Sequence, residues 1–358
     1  MTGMSPATRT LFQPLRAGEL LLPNRVVMAP MTRNRATIDG TPTDLMARYY
    51  TQRATAGLII TEATTPTTEG TAAPLMPSLY TDAHERGWRH VTEAVHAAGG
   101  RIVIQLCHGG RATHSSLIGD LTPLAPSPIA AQAEVITAAG PMPASEPREL
   151  TDHELAAVPG WFADAAQRAL RAGADGIELH AGNGFLLNQF LDPVANQRSD
   201  LYGHDRTRLL ADVVNAVGNA IGPGRVGVRV SPGSGYNDMR DDAPASTLAA
   251  VADTLPRDIA YLHVIAGPLS PTQIRASWSD TLLINGPSTT HDDVTRTTLV
   301  EDGTADAVTF AQAFLANPDL PRRLHQRLPL NTPDPATFYG GDHNGYLDYP
   351  PYAAAVAA

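Results

Sequence analysis

Gly176-Ile177-Glu178-Leu179, followed by His180-Ala181-Gly182-Asn183-Gly184-Phe185-Leu186-Leu187-Asn188-Gln189-Phe190-Leu191, is the stretch that decides how this chain folds. The first four residues read as a strand buried on both faces, as parallel sheets require. A His and an Asn, three residues apart, then stand just past the strand's C-terminal end. In parallel α/β proteins that end is where ligands bind. His180 and Asn183 are therefore candidate pocket residues.

Similar apolar runs recur on both sides. The full set is Arg25–Pro30, Gly57–Glu62, Arg101–Leu106, Gly176–His180, Val226–Val230, Ile259–Val264, Thr281–Asn285 and Ala307–Phe310. Ala- and Arg-rich helix-like segments, such as Ala163–Leu170, lie between them. Strand and helix signals in alternation predict a parallel sheet, and eight strands predict a closed (β/α)8 TIM barrel with its site on the C-terminal loops. The whole chain, 1–358, reads as one such domain. The Pro/Ala/Ser-rich segment from about Gly109 to Glu146 shows no clear period and is too long for a plain connection. It reads as a lid-like insertion after the third strand. Leu11 to Asn24 reads as a small hairpin closing the barrel's bottom. The aromatic, Gly-rich tail from Phe338 to Pro350 is open to a disordered reading.

Composition narrows the chemistry. Of 358 residues, 43% are apolar, which is enough for a large core. The net charge of −10 argues against nucleic acid or an anionic membrane as partner, because both need a basic surface. No apolar run is long enough to span a membrane, and the first residues lack a signal-peptide pattern, so the expected location is cytoplasmic. The single cysteine, Cys107, excludes an intrachain disulfide and a thiolate metal cluster, and no metal site is expected. All 26 basic residues counted as Lys or Arg are arginine. Without lysine there is no Schiff-base chemistry and no pyridoxal enzyme. A small-molecule substrate is expected, and the oligomeric state is left open.

The motifs, in their order along eight strands, resemble those of the old yellow enzyme family of flavin-dependent ene reductases. Ala29-Pro30-Met31-Thr32 looks like the end of the family's first strand, where the main chain lies beside FMN and the Thr meets its ring edge. Ala63 in Thr61-Glu62-Ala63-Thr64, Gln105 on the third strand and Arg229 in Val228-Arg229-Val230 match further ring-side positions. The resemblance implies that His180 and Asn183 hydrogen-bond a substrate carbonyl and carry catalysis. It also implies that Thr32, Cys107 and Phe185 line the substrate pocket. Phe314–Leu320 and Phe338–Gly341 are family-like as well.

The departures matter equally. Family members place a proton-donating Tyr where this chain has Phe185, and a Trp where it has Cys107. The phosphate turn after strand seven reads Asn285-Gly286-Pro287-Ser288, and Pro287 has no N–H to donate. After strand eight, Ala311-Gln312 replaces a Gly-Arg pair, and neutral Gln cannot form the charged fork on phosphate. FMN is therefore expected to be weakly held or absent. The leading expectation is a non-redox catalyst, a carbonyl-activated isomerase or cyclase of a conjugated, polyketide-like substrate. The alternative is an FMN-dependent NAD(P)H ene reductase of α,β-unsaturated carbonyls. A further alternative is a non-catalytic binding protein on the same scaffold.

Overall fold

A computed structural model describes residues 10–286 and 293–353. Strands β1 (Leu15–Ala17) and β2 (Leu20–Leu22) pair antiparallel as a hairpin. Then come β3 (Val26–Met28), β4 (Leu58–Ile60) and β5 (Ile102–Leu106). The segment after β5 carries β6 (Leu124–Ala125), β7 (Glu134–Thr137), β8 (Gly140–Pro143) and β9 (Arg148–Glu149). The chain continues through β10 (Gly176–Ala181), β11 (Val226–Val230), β12 (Tyr261–Ile265), β13 (Leu282–Asn285) and β14 (Ala307–Phe310). Strands β3, β4, β5 and β10 to β14 close into one barrel of eight parallel strands. All eight lie where the apolar runs placed them.

Alternate residues of each barrel strand face inward, in layers. The lowest layer is apolar: Val27, Leu58, Ile60, Val103, Tyr261, Leu283 and Ala307 pack with Ala17, Leu20 and Leu22 of the hairpin. Tyr261 fills the space over Gly227, where an added Cβ would collide with its ring. Gly18, at φ +58°, turns the hairpin directly against Gly224 and Ala260, so any side chain there would clash with backbone. The hairpin thus plugs the barrel's bottom and leaves only the opposite end open. Between the outward strand faces and the helices lies the main core, which includes Ile104, Leu179, Val228, Phe162 and Trp88. The helix Asp152–Arg171 covers β5 and β10, and starts on a capping box in which Thr151 and Glu154 satisfy each other's backbone N–H groups.

The insertion differs from its sequence reading. It holds the β7–β8 hairpin, and β6 pairs with β9. Glu134-Val135-Ile136-Thr137 alternates exposed and buried, a period-2 pattern only four residues long. Pro141 and Pro143 hide its partner, because proline in a short strand reads as a breaker. The tail is also ordered through Tyr346, which is fully buried and stacks on Tyr49 with ring centroids 4.0 Å apart. Arg33 donates to the carbonyls of Phe338 (2.8 Å) and Gly345 (2.7 Å), and Arg35 to that of Asp342 (3.0 Å). Among the described residues, no helix is long and apolar enough to cross a membrane, and no cluster of His, Cys, Asp and Glu is placed to hold a metal.

Candidate active site

The open end of the barrel is polar just above its apolar floor. Gln105 donates from Nε2 to Glu178 Oε1 (2.7 Å), and Glu178 Oε2 meets His263 Nδ1 (2.8 Å). His263 Nε2 lies 3.1 Å from Thr309 Oγ1. This chain of side chains from β5, β10, β12 and β14 is fully buried, so each polar group needs the partner it has. Burial pushes the His263 imidazole below its usual range, although Glu178 opposes that shift.

One layer higher stand Cys107, His180 and Arg229. His180 pairs in register with Arg229, and Arg229 with His263. His180 Nδ1 accepts the backbone N–H of Gly182 (3.3 Å), which places the ring proton on Nε2. Burial, then the Arg229 cation, then His263 hold this imidazole well below its usual range. His180 is therefore a neutral hydrogen-bond donor with a fixed tautomer.

Arg229 is the exceptional group. It is 7% exposed, its Nε is buried without a hydrogen-bond partner, and among the described residues no hydrogen bond reaches its guanidinium. Glu178 offsets its charge in part, but a buried guanidinium without hydrogen bonds remains costly unless a bound group answers it. The β11 end is thus built to meet an electronegative edge. Thr32, half-buried beyond β3, has a hydroxyl with no hydrogen-bond partner among the described residues, and Pro30 and Ala63 are buried. The unsatisfied donors of Arg229 and Thr32 suit the polar edge of a flavin ring.

Asn183 follows β10 in a left-handed conformation (φ 55°), and its N–H donates to Ser231 Oγ (2.6 Å). Its side-chain amide has no protein partner, and Oδ1 is buried. Phe185 sits edge-on to His180, with ring centroids 5.0 Å apart at 66°. It packs with Ala63, Met76, Cys107, Ala72 and Ala73 in a small apolar patch at the mouth. Phe185 and Cys107 therefore share one wall with the His180 ring. Burial pushes the Cys107 thiol far up, so it is a small apolar group here and not a nucleophile.

Of the positions expected to meet a phosphate, Gly286 follows β13, and Pro287 and Ser288 lie outside the described residues. Ala311 is half-buried and precedes a five-residue helix that opens on Gln312. The Gln312 side chain is half-buried and makes no protein hydrogen bond.

Sequence reasoning missed the supports: Ser231 and Asn237 behind Asn183, and Glu178 and His263 beneath His180. Glu178 was a visible signal, because a carboxylate inside an apolar strand run requires a buried partner. Met76, Ala72 and Ala73, from the loop after β4, gave no signal at all.

The chain matches the model of the NADH:flavin oxidoreductase / NADH oxidase family over residues 10–331. It belongs to the old yellow enzyme family. It is 38% identical to a probable flavin mononucleotide-dependent alkene reductase of Leishmania infantum, over 98% of this chain and 100% of that one. It is 36% identical to 12-oxophytodienoate reductase 1 of Oryza sativa subsp. japonica, over 95% and 92%. Among solved structures, morphinone reductase in complex with tetrahydroNAD superposes with a TM-score of 0.91 at 41% identity, covering 97% of this chain and 99% of that one. The old yellow enzyme homologue from Zymomonas mobilis gives 0.90 at 38%, covering 95% and 99%. Old yellow enzymes are flavin oxidoreductases, so the family is one of enzymes and the inert-protein expectation loses its ground. The four proteins named above include three reductases, which weighs against the non-redox expectation.

The buried imidazoles have a consequence for acid stability. Burial holds His108 down at about 3, from an ordinary 6.5, and pushes His180 and His263 in the same direction. Below pH 6.5 the unfolded chain binds protons that the folded old yellow enzyme barrel refuses. Stability therefore falls as the pH drops from about 6.5 through the lower folded values. Urea midpoints measured at pH 7.5, 6 and 5 should decrease in that order, and a constant midpoint would show that these rings protonate freely in the fold.

Proposed function

We propose that this chain is an FMN-dependent NAD(P)H reductase of α,β-unsaturated carbonyl compounds, with a weakened grip on the FMN phosphate. The observation that carries the reading is the buried Arg229 guanidinium, without a hydrogen-bond partner among the described residues, beside a neutral, Nε2-protonated His180. The electronegative pyrimidine edge of a flavin would answer this cation. Arg229, Thr32, Gln105 and the main chain at Pro30, Met31 and Ala63 would hold the ring.

When bound there, FMN would supply hydride transfer from NAD(P)H to the β-carbon of an activated alkene. The rest is the protein's work. His180 Nε2–H and the Asn183 amide donate to the substrate carbonyl oxygen and stabilise the negative charge that gathers there. The apolar patch of Phe185, Cys107, Ala63 and Met76 would pack against the substrate's carbon skeleton. Phe185 has no proton to give, so the α-carbon is protonated from solvent.

The non-redox reading keeps one specific support, the coincidence of Phe185 with Gln312. A single experiment separates the two. Purified protein supplied with FMN and NAD(P)H should oxidise NAD(P)H in step with enone consumption. The Phe185→Tyr variant should turn over several-fold faster where protonation limits the rate. Enone converted to an isomer with no NAD(P)H consumed, in both forms, would overturn the proposal in favour of the isomerase reading.

A further inference from the structure

The mouth contains two facing turns in left-handed backbone. One is Asn183-Gly184, at φ 55° and 75°. The other is Asn237-Asp238, at φ 53° and 59°, in the loop after β11. They touch closely: a Cβ on Gly184 would come within 2.6 Å of Asn237 Cβ and 2.7 Å of the Tyr236 carbonyl. Two consecutive non-glycine residues in this region are uncommon, because the left-handed conformation crowds Cβ against the carbonyl. Such strain persists only where the surroundings over-determine it.

The surroundings here do. Asn237 Nδ2 donates to the Asn183 carbonyl (2.7 Å). The fully buried Arg111 donates from Nη2 to the Asp238 carbonyl (2.9 Å), and the Gln132 N–H of the insertion donates to Asp238 Oδ2 (3.1 Å). On the other side, Ser231 Oγ takes the Asn183 N–H and Asn188 Oδ1 takes the Gly184 N–H (2.9 Å). Every backbone contact of Asn183 named here comes from a side chain, and only its own amide is left without a partner.

We infer that Asn237 is a positioning residue for Asn183: its amide grips the Asn183 carbonyl and so aims the Asn183 side chain at the substrate oxygen. Asn is chosen over Gly at 237 for that donor, despite the strain. This inference rests on the proposed contact between Asn183 and the substrate carbonyl.

The test uses FMN-reconstituted protein and three variants, Asn237→Gly, Asn237→Asp and Asn183→Ala. Glycine removes the strain with the donor, so Asn237→Gly should melt no lower than wild type. Aspartate keeps the shape and puts an acceptor against a carbonyl. Both should lower kcat/KM for a cyclic enone about tenfold or more, mainly through KM, and weaken calorimetric binding of cyclohexanone. The rate of flavin reduction by NAD(P)H should stay within twofold. Asn237→Gly added to Asn183→Ala should cost nothing further, since both act through one amide. Enone kcat/KM within twofold of wild type in Asn237→Gly, or losses that add to those of Asn183→Ala, would overturn the inference. An unchanged enone KM in Asn183→Ala itself would instead sink the substrate contact on which it rests.

Discussion

Replacing His180 and Asn183 together by alanine will lower kcat/KM for an α,β-unsaturated carbonyl by about a thousandfold. Removal of one oxyanion donor typically costs about 10²–10³, and two donors on one oxygen act as a unit and do not multiply. Asn183 contributes no side-chain hydrogen bond to the fold. His180 contributes one, to the Gly182 N–H, and leaving that buried donor unanswered costs about 1–3 kcal/mol of stability. The variant should therefore melt lower but cooperatively, and still take up FMN, because Arg229, Thr32 and Gln105 are untouched. Steady-state turnover alongside flavin absorbance after desalting measures both effects. Activity within tenfold of wild type would remove these two residues from the mechanism.

The second large effect concerns the cofactor. Gln312→Arg should tighten FMN binding by roughly ten- to a hundredfold, since a charge-assisted hydrogen bond is worth about 1.5–3 kcal/mol and each 1.4 kcal/mol is a factor of ten. Gln312 is half-buried and makes no protein hydrogen bond, so the exchange breaks nothing in the fold. Wild-type protein should emerge from purification with substoichiometric flavin and take up more when it is supplied. Quenching of FMN fluorescence on titration gives both constants. Stoichiometric flavin in the untreated wild type, with no tightening in the variant, would show that other groups already hold the phosphate.

How much was legible follows from the distance over which each signal acts. The eight barrel strands were readable because each is buried on both faces and so carries a local apolar run. His180, Asn183, Phe185 and Cys107 were readable because strand ends in a parallel barrel converge on one opening. The supports of Asn183 were not readable: Ser231 lies 48 residues away and Asn237 54, and nothing in either segment alone points back. The hairpin in the insertion was masked by Pro141 and Pro143. The function was misweighted for a related reason. Phe185, Pro287 and Gln312 are conspicuous departures, whereas the buried Arg229 Nε without a hydrogen-bond partner is visible only in three dimensions.

The grip of Arg33 and Arg35 on the tail sets a timetable for the newborn chain. Arg33 reaches the Gly345 carbonyl across 312 residues of sequence, and Thr32 is its immediate neighbour. At ribosomal speeds of about 5–20 residues per second, roughly 15–60 s separate the two ends of that contact. A nascent chain halted just after β14 has all eight staves of its barrel, but the loop that bears Thr32 is held only from the chain's first quarter, as by the Glu62 carboxylate on the Arg33 and Asn34 N–H groups. The tail's grip on that loop is thus completed only after the barrel itself can close.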